Sequence, residues 1–178
     1  MITCNLMGGL GNQIFQIFTT IAYSIKSKNK FAFLNVEKLG EGSTTVRNTF
    51  WNTFFAKLNP FLMDKLPQPI NIVRERNFTF NELPLYEMKD NNIMLYGYFQ
   101  SYKYFHNEFL TICRMIDIYS MKKNLLKKVN YDNSFLDNTI SLHFRIGDYK
   151  KIQDYHPIMP REYYLNALKL IKQLNPTA

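Results

Sequence analysis

Between residues 2 and 36 four segments follow one another in an order that few folds accept. Residues 2–7 form a short, mostly apolar run, and glycines stand at positions 8, 9 and 11. Ile14, Phe15, Ile17, Phe18, Ile21, Ala22 and Ile25 then recur at the spacing of an amphipathic helix. Phe31-Ala32-Phe33-Leu34, with Val36, makes a second apolar run. Strand, glycine turn, helix and strand compose a βαβ unit, the building block of a parallel sheet. The expectation is therefore an α/β protein. At 178 residues, 46% hydrophobic and 20% charged, the chain is long and apolar enough for a sizeable core.

Further along, residues 40–49 are polar and turn-rich and read as a loop. Aromatic residues crowd from Phe50 to Leu66, before Pro67 and Pro69 break the chain. A short strand is expected at Ile70–Arg74, a turn at Asp90-Asn91-Asn92, and a strand at Ile93–Tyr98. Helices are expected over 101–116 and 120–129. Pro160 suits a helix start, and Tyr164, Ala167, Leu168, Ile171 and Leu174 supply that helix with an apolar stripe ending at Asn175-Pro176. No repeat or interdomain linker is visible.

The net charge of +8 suits an anionic partner. The Lys and Arg residues are scattered, however, and Lys122-Lys123 with Lys127-Lys128 fall at the spacing of a solvated helix face. With no zinc-finger, homeodomain or RNA-recognition signature, no nucleic-acid partner is expected. No apolar run reaches the roughly 18 residues of a membrane span, and the first residues do not read as a signal peptide. The expectation is a cytoplasmic protein, with association at a membrane surface left open. Cys4 and Cys113 match no metal spacing and read as reduced core thiols. Asn77-Phe78-Thr79 is a glycosylation sequon with no visible route to the secretory pathway.

Ile140-Ser141-Leu142-His143-Phe144-Arg145-Ile146 alternates apolar and polar residues, the period of a half-buried strand over 139–146. A strand would send His143 and Arg145 to one face, with Gly147, Asp148 and Tyr149 at its mouth. Ligands of open α/β sheets bind beyond the carboxyl ends of strands, and an Arg fork matches phosphate oxygens. An edge strand whose Arg pairs with Asp148 would look the same. The glycine loop leaves two readings open as well: a bare strand-to-helix turn, or a backbone that a ligand can approach, flanked by the amides of Asn12 and Gln13.

Three stretches resemble one family. His143-Phe144-Arg145-Ile146-Gly147-Asp148-Tyr149 is similar to the donor-binding motif of the α-1,2-fucosyltransferases, glycosyltransferase family 11. Gly8-Gly9-Leu10-Gly11-Asn12-Gln13-Ile14-Phe15-Gln16 resembles that family's N-terminal loop. Gly97-Tyr98-Phe99-Gln100-Ser101, with Tyr104-Phe105 behind it, resembles its Gly-aromatic-aromatic-Gln-Ser segment. The resemblance implies transfer of L-fucose from GDP-fucose to the 2-hydroxyl of a galactoside, with inversion and without a metal or other cofactor. It implies that Arg145 holds the β-phosphate, that His143 contacts the nucleotide and that Asp148 braces the loop. Gly9, Gly11 and Asn12 would complete the donor side. Asp154, in the following loop, is the candidate general base, and Tyr98 and Gln100 are candidates for the acceptor side. His156 would shape the approach to the helix.

Two departures accompany the resemblance. Ile146 stands where the family usually carries a second Arg, and the family's later acidic segment has no counterpart before Ala178. The expected architecture is GT-B-like: a Rossmann-type, acceptor-side domain over residues 1–138, then the incomplete beginning of a GDP-fucose-binding domain over 139–178. A fragment is expected, and a non-catalytic glycan- or partner-binding remnant of the family is the alternative.

Overall fold

The computed structural model describes residues 1–40, 46–86, 92–131, 134 and 139–175. They fall into two compact units, Met1–Met121 and Lys122–Ala178. In the first unit, β1 (Ile2–Cys4) leads through the glycine turn into α1 (Leu10–Lys26) and on to β2 (Phe33–Leu34). A short antiparallel pair, β3 (Lys38–Leu39) with β4 (Arg47–Asn48), comes next. A 3-10 turn at Ala56–Phe61 precedes β5 (Leu62–Met63), and β6 (Ile70–Arg74) and β7 (Asn92–Tyr96) follow. A second 3-10 turn at Tyr102–Tyr104 and the helix α2 (Phe109–Met115) come before α3 (Ile118–Lys128), in which the division between units lies.

The expected βαβ unit is present. β1 pairs in parallel with β7, Ile2 opposite Ile93 and Cys4 opposite Leu95, and β7 pairs in parallel with β6. On its other side β1 meets the run into β2 through a parallel bridge between Ile2 and Phe31, where the Ile2 N–H donates to Lys30 O at 2.8 Å and the Ala32 N–H to Ile2 O at 3.0 Å. β2 in turn pairs in parallel with β5. The strands thus run β5–β2–β1–β7–β6, all parallel. From β1 the chain first builds to one side and later returns to the other, so the topological switch point lies between β1 and β7.

α1 packs against β1 and is largely enclosed: Gln13 and the whole run from Gln16 to Ser24 are buried. Its apolar residues Ile17 and Ile21 join Ile2, Phe33, Phe55, Leu58, Ile93, Leu95, Phe99, Ile112 and Ile116 in one core. The aromatic crowd after residue 50 is part of it, with Trp51 against Phe33 and Phe55, and Phe61 stacked on Phe31 at 4.5 Å. Polar residues that α1 buries are partly repaid by the helix itself, as Thr20 Oγ1 donates to Gln16 O at 2.7 Å. Cys4 and Cys113 are buried free thiols; burial pushes Cys4 up to about 12 and raises Cys113 too, so both stay protonated at neutral pH.

Several expectations need correction. The loop over 40–49 contains β4, and its residues 41–45 lie outside the described residues. So do Asp90 and Asn91 of the expected turn, while Asn92 opens β7. The helix expected over 101–116 is interrupted at Phe105, whose φ of −135° leaves the helical region, so only 109–115 is α-helical.

The larger correction is in the second unit. Residues 139–146 form no strand. A strand requires a neighbour to take its backbone N–H and C=O groups, and among the described residues of 122–178 there is none. Leu142, Phe144 and Ile146 are accordingly exposed. A 3-10 turn at Asp148–Lys151 and α4 (Arg161–Leu174) complete this unit, with Pro160 capping α4 as expected. Among the described residues no helix is long and apolar enough to cross a membrane.

Candidate functional site

Two of the three motifs meet at the switch point. Beyond β1, Gly8 turns the chain with φ +74°, and Gly9 opens α1, its carbonyl accepting from Gln13 N–H at 3.0 Å. Beyond β7, Gly97 begins the second motif. An added Cβ there would overlap the Glu75 side chain, so glycine is what lets the two segments approach. The loops are joined by a side-chain bond: Gln100 Nε2 donates to Asn12 Oδ1 at 2.8 Å. Ligands of open parallel sheets bind at this kind of crevice.

Each loop is braced from below. Gln13 is fully buried, and its Nε2 donates to Gly8 O at 3.0 Å and to Asn48 O at 2.9 Å. Gln16, also fully buried, clamps Met7 from both sides: its Oε1 accepts from the Met7 N–H at 2.9 Å and its Nε2 donates to Met7 O at 3.2 Å. Gln13, read in the sequence as an amide that could face a ligand, is therefore a brace, whereas Asn12 stays half-exposed at the mouth.

The second loop depends on Glu75, which motif reasoning missed. Its Oε2 accepts from the backbone N–H groups of Tyr98 at 2.8 Å and Phe99 at 2.9 Å, holding Phe99 at φ +52° with its ring fully buried. Tyr104, whose hydroxyl lies 3.4 Å from Glu75 Oε1, has its pKa raised, chiefly by burial. A carboxylate one residue past a strand end is the signal that could have found Glu75. Tyr98 stacks on Phe78 with centroids 6.4 Å apart, and Gln100 is exposed.

Gly9 and Gly11 differ from Gly8. An added Cβ at either meets no atom within 4 Å. Nothing among the described residues requires glycine there, while a ligand lying against the backbone would.

The third motif lies in the second unit and is shaped there by α4 and the turn after it. Tyr164 packs on Phe144 with ring centroids 4.6 Å apart, and its hydroxyl donates to His143 O at 3.4 Å. The Arg145 guanidinium lies over the Tyr149 ring, 4.8 Å from its centroid. His156 stacks on Tyr149 at 4.7 Å, which folds the 152–156 turn back towards the motif. His143, Arg145 and Asp154 are exposed, and the side chain of Asp148 lies outside what the structure describes. With no strand over 139–146, strand alternation does not put His143 and Arg145 on one face. The two are held instead through Tyr164 and Tyr149.

No protein-family model matches the chain, and no solved structure matches it. Two curated proteins do. An O-antigen biosynthesis glycosyltransferase, WbnK, of Escherichia coli is 26% identical over an alignment that covers 98% of this chain and 68% of that protein. An alpha-1,2-colitosyltransferase of Escherichia coli is 27% identical, covering 97% of this chain and 64% of that protein. The chain thus spans about two thirds of the length of these relatives. Along nearly all of its own length it is a distant homologue of glycosyltransferases, and its parallel α/β sheet is compatible with the Rossmann-like folds of such enzymes.

Proposed function

We propose that this chain carries the acceptor-side domain and part of the donor site of an inverting, metal-independent glycosyltransferase of GT-B architecture. The reaction is transfer of L-fucose from GDP-fucose to the 2-hydroxyl of a galactoside. The observation that carries the reading is the meeting of two family-like motifs at the switch point, where Gln100 bonds to Asn12 above a glycine loop with open space over Gly9 and Gly11. Homology to glycosyltransferases over nearly the whole chain supports it.

In this mechanism the acceptor 2-hydroxyl oxygen attacks the anomeric carbon of fucose while the bond from that carbon to the β-phosphate oxygen breaks, and GDP departs. Arg145 holds the β-phosphate and stabilises the charge that grows on the departing oxygen. Asp154 takes the proton of the attacking hydroxyl. His143 contacts the nucleotide, Asp148 braces its loop, Gly9, Gly11 and Asn12 line the donor side, and Tyr98 and Gln100 face the acceptor.

The test is transfer by the native polypeptide purified from its source, with linkage analysis of the product. Arg145→Ala should retain the fold and lose about 10²- to 10³-fold in kcat. A polypeptide that neither transfers fucose nor binds GDP would overturn the reading. Binding of a galactoside without any affinity for GDP would favour a non-catalytic glycan-binding role. The similarity to an alpha-1,2-colitosyltransferase favours one further donor sugar with the same linkage. The same assay with a colitosyl donor decides between the two sugars.

A further inference from the structure

The first unit contains a pocket of about 650 Å³ that none of the three motifs describes. It opens between the segment after β2, the β3–β4 pair and the turns from Trp51 to Leu62, and its size is within the roughly 300–1,000 Å³ of small-molecule sites. We infer that it binds a neutral, hydroxyl-rich saccharide, held by the amides of Asn48, Asn52 and Asn59 against Trp51.

The lining argues for that class of ligand. Asn48, Asn52 and Asn59 all contribute to it, and among the described residues their side-chain amides make no hydrogen bond. An amide offers both donors and an acceptor, which matches a hydroxyl that is itself both. Asn35 and Thr49 are already engaged, Asn35 with Asp64 Oδ1 at 3.1 Å and Thr49 with Val36 O at 2.6 Å, so they shape the wall. Among the described residues, the charged lining ones, Glu37 and Lys38, are of opposite sign. A nucleotide's phosphates would want an excess of positive charge, and an uncharged sugar does not.

Trp51 adds an aromatic surface to the wall. It lines the pocket although only 4% exposed, and its indole Nε1 has no hydrogen-bond partner. A buried indole N–H normally finds one. That nitrogen is closed to solvent, so what Trp51 offers a saccharide is the apolar part of its ring that lines the pocket.

The pocket also adjoins the glycine loop. Gln13 Nε2 bonds at once to Gly8 O and to Asn48 O, so one buried side chain fixes both the loop and a wall of the pocket. Saccharide binding stands on the pocket's own chemistry. Its role as a subsite for a further sugar of the acceptor glycan, besides the one that Tyr98 and Gln100 face, rests on the function proposed above.

Trp51 is the single tryptophan of the chain, so its emission reports on this pocket alone. Titration of the 178-residue chain with lactose, followed by Trp51 fluorescence, should give a saturable change. The Asn52→Ala/Asn59→Ala double variant alters two exposed residues and should keep the same melting curve while weakening lactose about tenfold or more. GDP, followed by calorimetry, should bind without displacing lactose. No saturable change with lactose, or an unchanged affinity in the double variant, overturns the pocket proposal even if GDP binds. Displacement of lactose by GDP overturns it as well, because the pocket would then be the nucleotide's. Lactose binding without any GDP binding leaves the pocket proposal standing and counts against the transferase reading.

Discussion

Gly8 and Gly11 stand three residues apart in one loop, yet they answer to different demands. Gly8 has φ +74°, and a Cβ there would run into Asn12. Replacing it with Ala should cost about 1–2 kcal/mol for the left-handed backbone alone. Gly11 is exposed in the first turn of α1 with open space around its Cα. Ala there should add roughly 0.5–1 kcal/mol of stability, because glycine is a poor helix former. Urea unfolding of the two variants should therefore move in opposite directions. If GDP lies against this loop, the Gly11 variant should also bind it about tenfold more weakly, the equivalent of 1.4 kcal/mol. Gain of stability with loss of GDP affinity would mark a glycine kept for a ligand; unchanged affinity would remove Gly11 from the donor side. The sequence displays these glycines but not the difference between them, which depends on what stands beside each Cα. It does hold one clue about their neighbours. Consecutive helix residues point about 100° apart, so Asn12 and Gln13 could not both face the mouth, and Gln13 is the one turned inward.

At the scale of elements, legibility follows from length and periodicity. β1, α1 and β2 were readable because a 17-residue helix carries several turns of apolar stripe between two apolar runs. β3 and β4 were not, since two-residue strands in a polar stretch carry neither a period nor an apolar run like the one around β2. The turn after β7 was readable as a motif, but its support was not. Glu75 is distant in sequence and reaches the turn only because β6 and β7 lie side by side with Arg74 opposite Tyr96. Glu75→Ala would leave the Tyr98 and Phe99 N–H groups without their acceptor. Charge-assisted bonds of this kind are worth about 1.5–3 kcal/mol, so a loss of that order is expected in chemical denaturation. Because Gln100 leaves this same turn to bond Asn12, the variant should also loosen the two loops together. Faster amide exchange at 98–101 and at 9–12 would show it; faster exchange at 98–101 alone would mean that the loops are not mechanically linked.

For the molecule as a whole, the parallel sheet of the first unit and the motif segment of the second, which forms no strand, set two different standards of order. Amides of β1 and β7 are locked in ladders on both sides and belong to a core of fully buried residues such as Ile2, Ile93 and Leu95. Residues 139–146 alternate as a strand would, but alternation records only which side chains want cover. The ladder has to come from neighbouring strands, and in this unit none is described, which is why the sequence pattern misled. What holds the motif instead is aromatic: Phe144 on Tyr164, and Arg145 and His156 on Tyr149. Such contacts fix side chains without supplying a strand ladder for the backbone, and exchange measures the difference. In the 178-residue chain, amides of 140–146 should exchange far faster than those of 2–4 and 93–95, which should persist for hours. Protection of 140–146 comparable to that of β7 would mean that the segment does find a strand partner in solution. Phe144→Ala refines the test, because it removes the ring contact with Tyr164. It should disturb His143 and Arg145 without altering exchange in the first unit. Weaker GDP binding in that variant, with the sheet amides unchanged, would show that the donor-side residues depend on aromatic packing rather than on a ladder.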